Sequence, residues 1–231
     1  MPLLILLLTI AFAGSTLWVP DFGGFDPERF PVPQNDPPVQ PAGYAFAIWG
    51  VIYFWLLVSA GFGLFKRRDA PDWTGMRPAL AVSLAVGAIW LPAAVLSPVL
   101  ATVLIWAMLV PALIALSRSP QLDAGWASLP IGLYAGWLSA ASCVAIGLLL
   151  AGYGVLDEVP TAFLMIAIAT GLAYVVQTRL NRAPTYGIAV IWAFVGIMAA
   201  APPTVGIAAF IGMAVVALAT LRAALAMGRQ A

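Results

Sequence analysis

The side chains able to do chemistry in this chain are aromatic ones. Its 231 residues include nine Trp, eleven Phe and six Tyr, with no His and one Cys. No His means no imidazole metal ligand, no histidine-ligated haem and no imidazole base. Cys143 alone excludes an internal disulfide and any CxxC pair. The densest aromatic stretch runs from Gly43 to Tyr53, where Phe46, Trp49 and Tyr53 are spaced i, i+3, i+7. On a helix that spacing puts three rings on one face. A second pair, Tyr134 and Trp137, is spaced i, i+3 and overlaps the small-xxx-small pattern Gly132–Gly136, a motif that lets two helices approach closely. Rings in such stripes either pack a bundle or wall a ligand box. Trp49, Trp55, Trp90, Trp106, Tyr134, Trp137 and Trp192 fall inside apolar runs. Their polar atoms want partners there, so these rings face protein, a ligand or a wet cavity. Trp18, Trp73, Trp126 and Tyr153 fall at run ends and fit the aromatic belt of a bilayer interface.

Other reactive groups offer little. Ser59, Ser83, Thr102, Ser139, Ser142 and Thr170 lie in apolar runs, with no His, Lys, Asp or Glu nearby in sequence to act as a base. They read as hydrogen bonders between helices or to the preceding turn. Cys143, among small apolar neighbours, reads as a packing residue, because a thiolate is disfavoured there. Asp157 and Glu158 are adjacent, point different ways and read as solvated loop. The expectation is a protein that is not an enzyme, with no catalytic residue and no metal site.

The elements that must position the rings follow from composition. The chain is 63% hydrophobic and 8% charged, against about 45–50% and about 25% for a soluble domain. Crossing the ~30 Å hydrocarbon core takes ~20 apolar residues as a helix. Eight runs qualify, near Pro2–Val19, Gly43–Phe65, Ala79–Leu96, Val99–Ser117, Leu129–Gly152, Thr161–Leu180, Thr185–Ala200 and Val205–Met227. The third and fourth are parted only by Ser97-Pro98; nearly forty apolar residues exceed one span, so the break reads as a tight helical hairpin. The alternating ~10-residue segments of a membrane barrel are absent. The fold class expected is an all-α integral membrane protein of about eight transmembrane helices.

The first run also fits a signal peptide, since Leu3–Phe12 is followed by Ala13-Gly14. No Lys or Arg precedes it, and it reads as a span. With the N-terminus in the cytoplasm, Lys66, Arg67, Arg68, Arg77, Arg118, Arg179, Arg182, Arg222 and Arg229 fall inside and only Arg29 outside. This is the positive-inside asymmetry, and it puts both termini in the cytoplasm. Six of the nine acids (Asp21, Asp26, Glu28, Asp36, Asp157 and Glu158) fall outside. Every ionisable residue sits in a loop or at a helix end. A proton relay or voltage sensor needs charge within the spans, so ion-coupled transport is not expected. No basic patch is large enough to grip nucleic acid.

Pro41-Ala42-Gly43-Tyr44-Ala45-Phe46-Ala47-Ile48-Trp49-Gly50-Val51-Ile52-Tyr53 resembles the opening of the second helix in TspO/MBR proteins, the tryptophan-rich sensory proteins, and most of all their longer bacterial branch. Leu133–Ala141 resembles that family's fifth-helix signature, and Trp90-Leu91-Pro92 its third-helix Trp. The resemblance covers roughly residues 1–152. It implies a TspO-like five-helix bundle (1–152, with an outer loop at 20–42) and a three-helix extension (153–231). Ligand-binding residues carried over by position are Tyr44, Phe46, Trp49 and Tyr53 from the second helix, Trp90 from the third, and Tyr134 and Trp137 from the fifth. Two family Asn positions, three before the third-helix Trp and eight after the fifth-helix Trp, are Gly87 and Ala145 here, which makes the pocket greasier. Short family members also carry one more residue between the positions matching Phe46 and Trp49.

The function implied is a receptor or carrier in the bacterial inner membrane, sensory or regulatory, for a hydrophobic planar ligand such as a tetrapyrrole; a carotenoid or lipid is the other candidate. No covalent cofactor is expected. The alternative is a non-catalytic accessory subunit of a larger membrane complex, for example a photosynthetic pigment-protein or biosynthetic assembly, since spans five to eight are rich in Gly and Ala. Expected partners are membrane lipid, a hydrophobic small molecule, and other membrane subunits or a second copy. The Pro-rich stretch Phe30–Pro38 reads equally as a lid over the pocket or as a stiff connector.

Overall fold

The computed structural model of the chain describes residues 1–19 and 22–228. Asp21 and Arg229, counted above among the charges, lie outside the described residues, as do Pro20, Gln230 and Ala231. Eight long helices run α1 (Pro2–Gly14), α2 (Ile48–Phe65), α3 (Arg77–Leu96), α4 (Pro98–Ser117), α5 (Ser128–Gly152), α6 (Glu158–Leu180), α7 (Pro184–Ala200) and α8 (Pro203–Gly228). Short 3-10 turns occupy Ser15–Leu17, Pro27–Arg29 and Gly43–Ala47, and a four-residue helix Pro71–Thr74. The protein is a multi-pass helical membrane protein. Six helical segments among the described residues are long and apolar enough to cross a bilayer; Pro2–Leu17 and Pro184–Ala200 are apolar but shorter. At 1.5 Å per residue, those two reach ~25 Å, just under the hydrocarbon thickness.

Several helices begin on proline, at Pro98, Pro184 and Pro203, so α4, α7 and α8 start one or two residues before the apolar runs do. Proline is at home in the first turn, where its missing N–H has no helical partner anyway. The Ser97-Pro98 break is a hairpin: Ser97 is extended, and its hydroxyl caps α4 by accepting from the Leu100 N–H. The two arms then lie side by side. Ser83 of α3 donates to the Met108 carbonyl of α4 at 2.8 Å, and the Trp90 indole N–H donates to the Ala101 carbonyl at 2.9 Å.

α5 is the central helix. It packs against α2, α4, α6 and α7, while α1 closes on α2 and α3, and α8 closes on α6 and α7. A Cβ added at Gly136 would collide with the backbone of Tyr186, and one at Gly132 would stand 2.6 Å from the Ala183 side chain. Only glycine at those two positions lets α7 lie this close to α5. One apolar core runs through helices on both sides of residue 152.

The loops separate into two groups. At one end Arg182 donates to the Ser119 carbonyl (2.7 Å), and Arg67 holds Asp123 through two hydrogen bonds of 2.6 and 3.0 Å. At the other end the 22–42 loop is tied to helix ends by Arg29 to the Leu96 carbonyl (3.4 Å) and by the Val32 N–H to the Gly152 carbonyl (2.9 Å). Lys66, Arg67, Arg68, Arg77, Arg118, Arg179, Arg182 and Arg222 belong to the first end, and Arg29 to the second. Arg77 is buried, 4% exposed. It donates to the carbonyls of Arg68 (3.0 Å), Arg67 (2.6 Å) and Gly63 (3.4 Å), the C-terminal carbonyls of α2 and those just after it. A cation is favoured there. Trp73 departs from the interfacial reading. It is 2% exposed and donates its indole N–H to Asp123 at 2.8 Å, because Asp123 reaches back from the 118–127 loop.

Candidate ligand cavity

The site lies at the end opposite the arginines, beneath the 22–42 loop. Its walls come from four helices: Trp90 of α3, Ile105 of α4, Trp137, Ala140, Ala141, Val144, Ala145 and Leu148 of α5, and Ala193 of α7. Its roof is Phe22, Gly24, Phe25, Gln40 and Pro41, and Phe46 enters from the 3-10 turn before α2. The space, partly open to the outside, is about 50 Å³, room for a few waters but far below the ~300–1,000 Å³ of ordinary ligand pockets. Gln40 is the one lining side chain with a polar group other than the Trp indoles, and none of the lining residues is ionisable.

The roof is packed rather than draped. Phe30 and Val39 are buried; Phe30 sits against Gly152, and Val39 against Gly147, so two glycines of α5 accept the loop. Phe22 meets Trp90 edge-on with centroids 5.5 Å apart, and Phe25 meets Phe22 and Phe30 likewise. The Pro-rich stretch thereby stands over the end of α5.

Phe46, Trp90 and Trp137 are brought to the cavity. Trp49, Tyr53 and Tyr134 are not among its lining; they form a filled knot behind Trp137. Trp49 and Tyr53 stack at 5.3 Å, and Phe12 of α1 packs edge-on against both, at 5.8 and 5.0 Å. Tyr134 closes the knot 5.7 Å from Phe12, its hydroxyl 2.8 Å from that of Ser83. Tyr44 is half exposed and lies edge-on against Trp192 outside the cavity. Gly43–Ala47 is a 3-10 turn and the α-helix begins only at Ile48, so Phe46 lies before the α-helix that carries Trp49 and Tyr53. Trp137 joins the two groups, 5.9 Å from Phe46 and 6.2 Å from Trp49, edge-on to each.

Phe12 had no motif to announce it. The space it fills exists because residue 87 is glycine: a Cβ there would stand 2.8 Å from the Phe12 ring. Phe22, Phe25 and Gln40 sit in a loop whose spacing carries no period, and Ala193 belongs to a helix beyond the resembling stretch.

The polar atoms divide in the same way. The Trp90, Trp55 and Trp192 indoles donate to the carbonyls of Ala101, Gly125 and Ala45. Among the described residues nothing accepts from the buried indole N–H of Trp137, and the same is true of Trp106. Ser139 back-bonds to Ala135 and accepts from the Tyr186 hydroxyl at 2.8 Å. A buried donor left unpaired costs ~1–3 kcal/mol, and Trp137 is the one that stands on the cavity wall.

The sequence model of the family described as TSPO-like protein matches residues 32–222. The chain belongs to the TSPO-like family. The match runs past residue 152 into α8 and leaves out α1, so the family likeness is wider at the C-terminal side than the motifs alone suggested. Searches of curated proteins and of solved structures give no match. Within this TSPO-like chain, the matched stretch contains every helix that walls the cavity together with Gln40 and Pro41 of the roof, while Phe22, Gly24 and Phe25 of the roof and Phe12, the plug of the knot, come from outside it.

Proposed function

We propose that the protein is a membrane receptor or carrier, sensory or regulatory in role, for a hydrophobic planar ligand of the tetrapyrrole type, held between the roof and α5. The observation that carries this reading is a lining in which Trp137, whose indole N–H is unpaired, stands with the rings of Phe22, Phe25, Phe46 and Trp90. Those rings offer stacking faces, and the N–H offers one directed bond to a ligand acceptor. The lining holds no acid, base or thiol, which supports a binding role for the site over a catalytic one. The space as it stands is too small for a ring system, so binding requires the roof to lift. We place the protein in a bacterial inner membrane with the arginine-rich end and both termini on the cytoplasmic side.

Titration with protoporphyrin IX tests this. Tryptophan fluorescence should quench saturably at micromolar porphyrin, and Trp137→Phe, which keeps a ring and loses the N–H, should weaken binding about fivefold, as loss of one hydrogen bond does. Absence of saturable quenching, or a Trp137→Phe titration identical to the parent's, rejects the reading.

One observation favours the accessory-subunit reading. The outer faces of α6 and α8 frame an open groove of about 540 Å³, floored by Ala167, Gly171, Ala208 and Gly212 between Phe163, Tyr174, Ile211 and Val215. Small-xxx-small floors of this kind seat a neighbouring helix. Native mass measurement after gentle extraction decides the matter: a heteromeric assembly supports a subunit role, a lone monomer excludes it.

A further inference from the structure

α7 touches the roof at its root. The Trp192 indole N–H donates to the Ala45 carbonyl at 2.8 Å, and the Ala42 N–H donates to the Gly196 carbonyl at 3.0 Å. Gly196 admits this contact because it has no side chain; a Cβ there would stand 2.8 Å from those of Pro41 and Ala45. Both bonds clasp residues 42–45, the short joint between the roof loop and α2. Pro41 on one side of the joint and Phe46 on the other both line the cavity. Ala45 is wholly buried in the clasp.

The other ties of the roof are of a different kind. Arg29 reaches Leu96 through an exposed side chain, and Val32 is tied ten residues upstream of the joint. Neither bond involves the joint or Phe46. Moving the joint shifts Pro41 and Phe46 together, so the clasp controls whether the cavity can widen.

We propose that α7 is the latch of the cavity: Trp192 and Gly196 are positioning residues that hold the 42–45 joint and set how fast the roof opens to admit ligand. This rests on the reading of the cavity as the ligand site. It assigns to a helix beyond the first five a task inside that site.

The test needs no ligand. In a Cys143→Ala background, Ala145→Cys places a thiol on the cavity wall, and its labelling by a small maleimide in detergent micelles reports roof opening. Trp192→Phe removes the donor and keeps an aromatic ring; labelling should accelerate about fivefold, the factor for one ordinary hydrogen bond. Gly196→Ala should accelerate it at least as much. The amide of Ala42 should exchange with deuterium faster in both, while amides of Val32 and of central α5 keep their rates. Arg29→Ala, which cuts a tie away from the joint, should leave labelling unchanged. If Trp192→Phe labels at the parent rate, or if Arg29→Ala accelerates labelling as much, the latch is overturned; should Gly196→Ala fail to fold, Trp192→Phe still decides. Porphyrin kinetics separate the two proposals. Faster association and faster dissociation in Trp192→Phe at nearly constant Kd support the latch. Accelerated labelling without porphyrin quenching keeps the latch and rejects the porphyrin reading.

Discussion

Two regions meet at Trp137, and they differ although the same residue types build both. Behind it, Phe12, Trp49, Tyr53 and Tyr134 fill their space, with Tyr134 hydrogen-bonded to Ser83. In front of it, Phe22, Phe46 and Trp90 surround an open volume, and the Trp137 N–H is unpaired. Aromatic density therefore does not by itself mark a binding site. What separates the knot from the cavity is whether another element supplies a plug. α1 brings Phe12 to the knot, while the cavity is covered only by a loop joined to the rest by a few bonds. A filled, satisfied cluster adds stability, and an unfilled one with an orphan donor leaves that stability unclaimed.

The comparison breaks most strongly at Phe12. Phe12→Ala should cost ~3–5 kcal/mol, as truncation of a buried ring does, and lower the thermal midpoint in detergent sharply. It should also open a second apolar space beside Trp49. A midpoint within a degree of the parent would mean that the knot is not a filled core.

Gly87→Asn attacks the same plug from the other side. The Asn side chain needs the space of the Phe12 ring, so α1 must shift, at ~1–3 kcal/mol for overpacking. Trp fluorescence should report the displaced Phe12 through Trp49. A fully stable variant with an unchanged spectrum would show that Gly87 does not make the room.

On the open side the sign reverses. Ala145→Val adds two methyl groups where about 50 Å³ is empty, and filling a cavity stabilises by ~0.5–1 kcal/mol. The same change should abolish porphyrin quenching. Loss of stability here would erase the contrast between the two regions.

The smallest effect is expected far from both. Hydrogen bonding by the Arg67 guanidinium holds the Asp123 carboxyl below the usual carboxylate range. A depressed carboxylate stabilises the fold above its unfolded pKa, ~3.9, and that contribution fades as pH falls through the folded value. Acidification from pH 6 to pH 3 should therefore loosen the clamp between the 66–76 and 118–127 loops, seen as a change at Trp126, which stacks on Phe62. Asp123→Asn should flatten that response and leave porphyrin binding untouched. A pH-dependent change in porphyrin affinity that is abolished by Asp123→Asn would tie the two ends of the molecule together, against this separation.

Much of the architecture was legible because the bilayer restricts the solutions. Long apolar runs broken by Pro and charge can only be helices when lipid offers the backbone no partner, and the spans read this way match α1–α8 to within a few residues apart from the end of the first and the start of the second, where Ser15–Leu17 and Gly43–Ala47 tighten into 3-10 turns. The site was half legible. Trp90, Trp137 and Phe46 were picked out as aromatics within or beside apolar helices. The stripe from Phe46 to Tyr53 divides, since Phe46 belongs to the 3-10 turn before α2 and lines the cavity while Trp49 and Tyr53 pack in the knot. Trp73 was misplaced because its partner, Asp123, is fifty residues away. Trp192 was seen only as a buried ring in want of an acceptor; that the acceptor is the carbonyl of Ala45, 147 positions earlier, has no local signature.

The sequence by itself determined that this chain crosses a membrane as a helical bundle, which loops share an end, and where its aromatic rings concentrate. Those are properties of composition and period, set by the cost of placing charge and bare backbone in lipid. Only the tertiary structure decided which rings enclose a space and which are packed solid. That depends on a missing Cβ at Gly87, on Phe12 brought in from α1 and on a helix docked on the joint of the roof. Each is a contact between residues distant along the chain, and a void exists only where such contacts leave one.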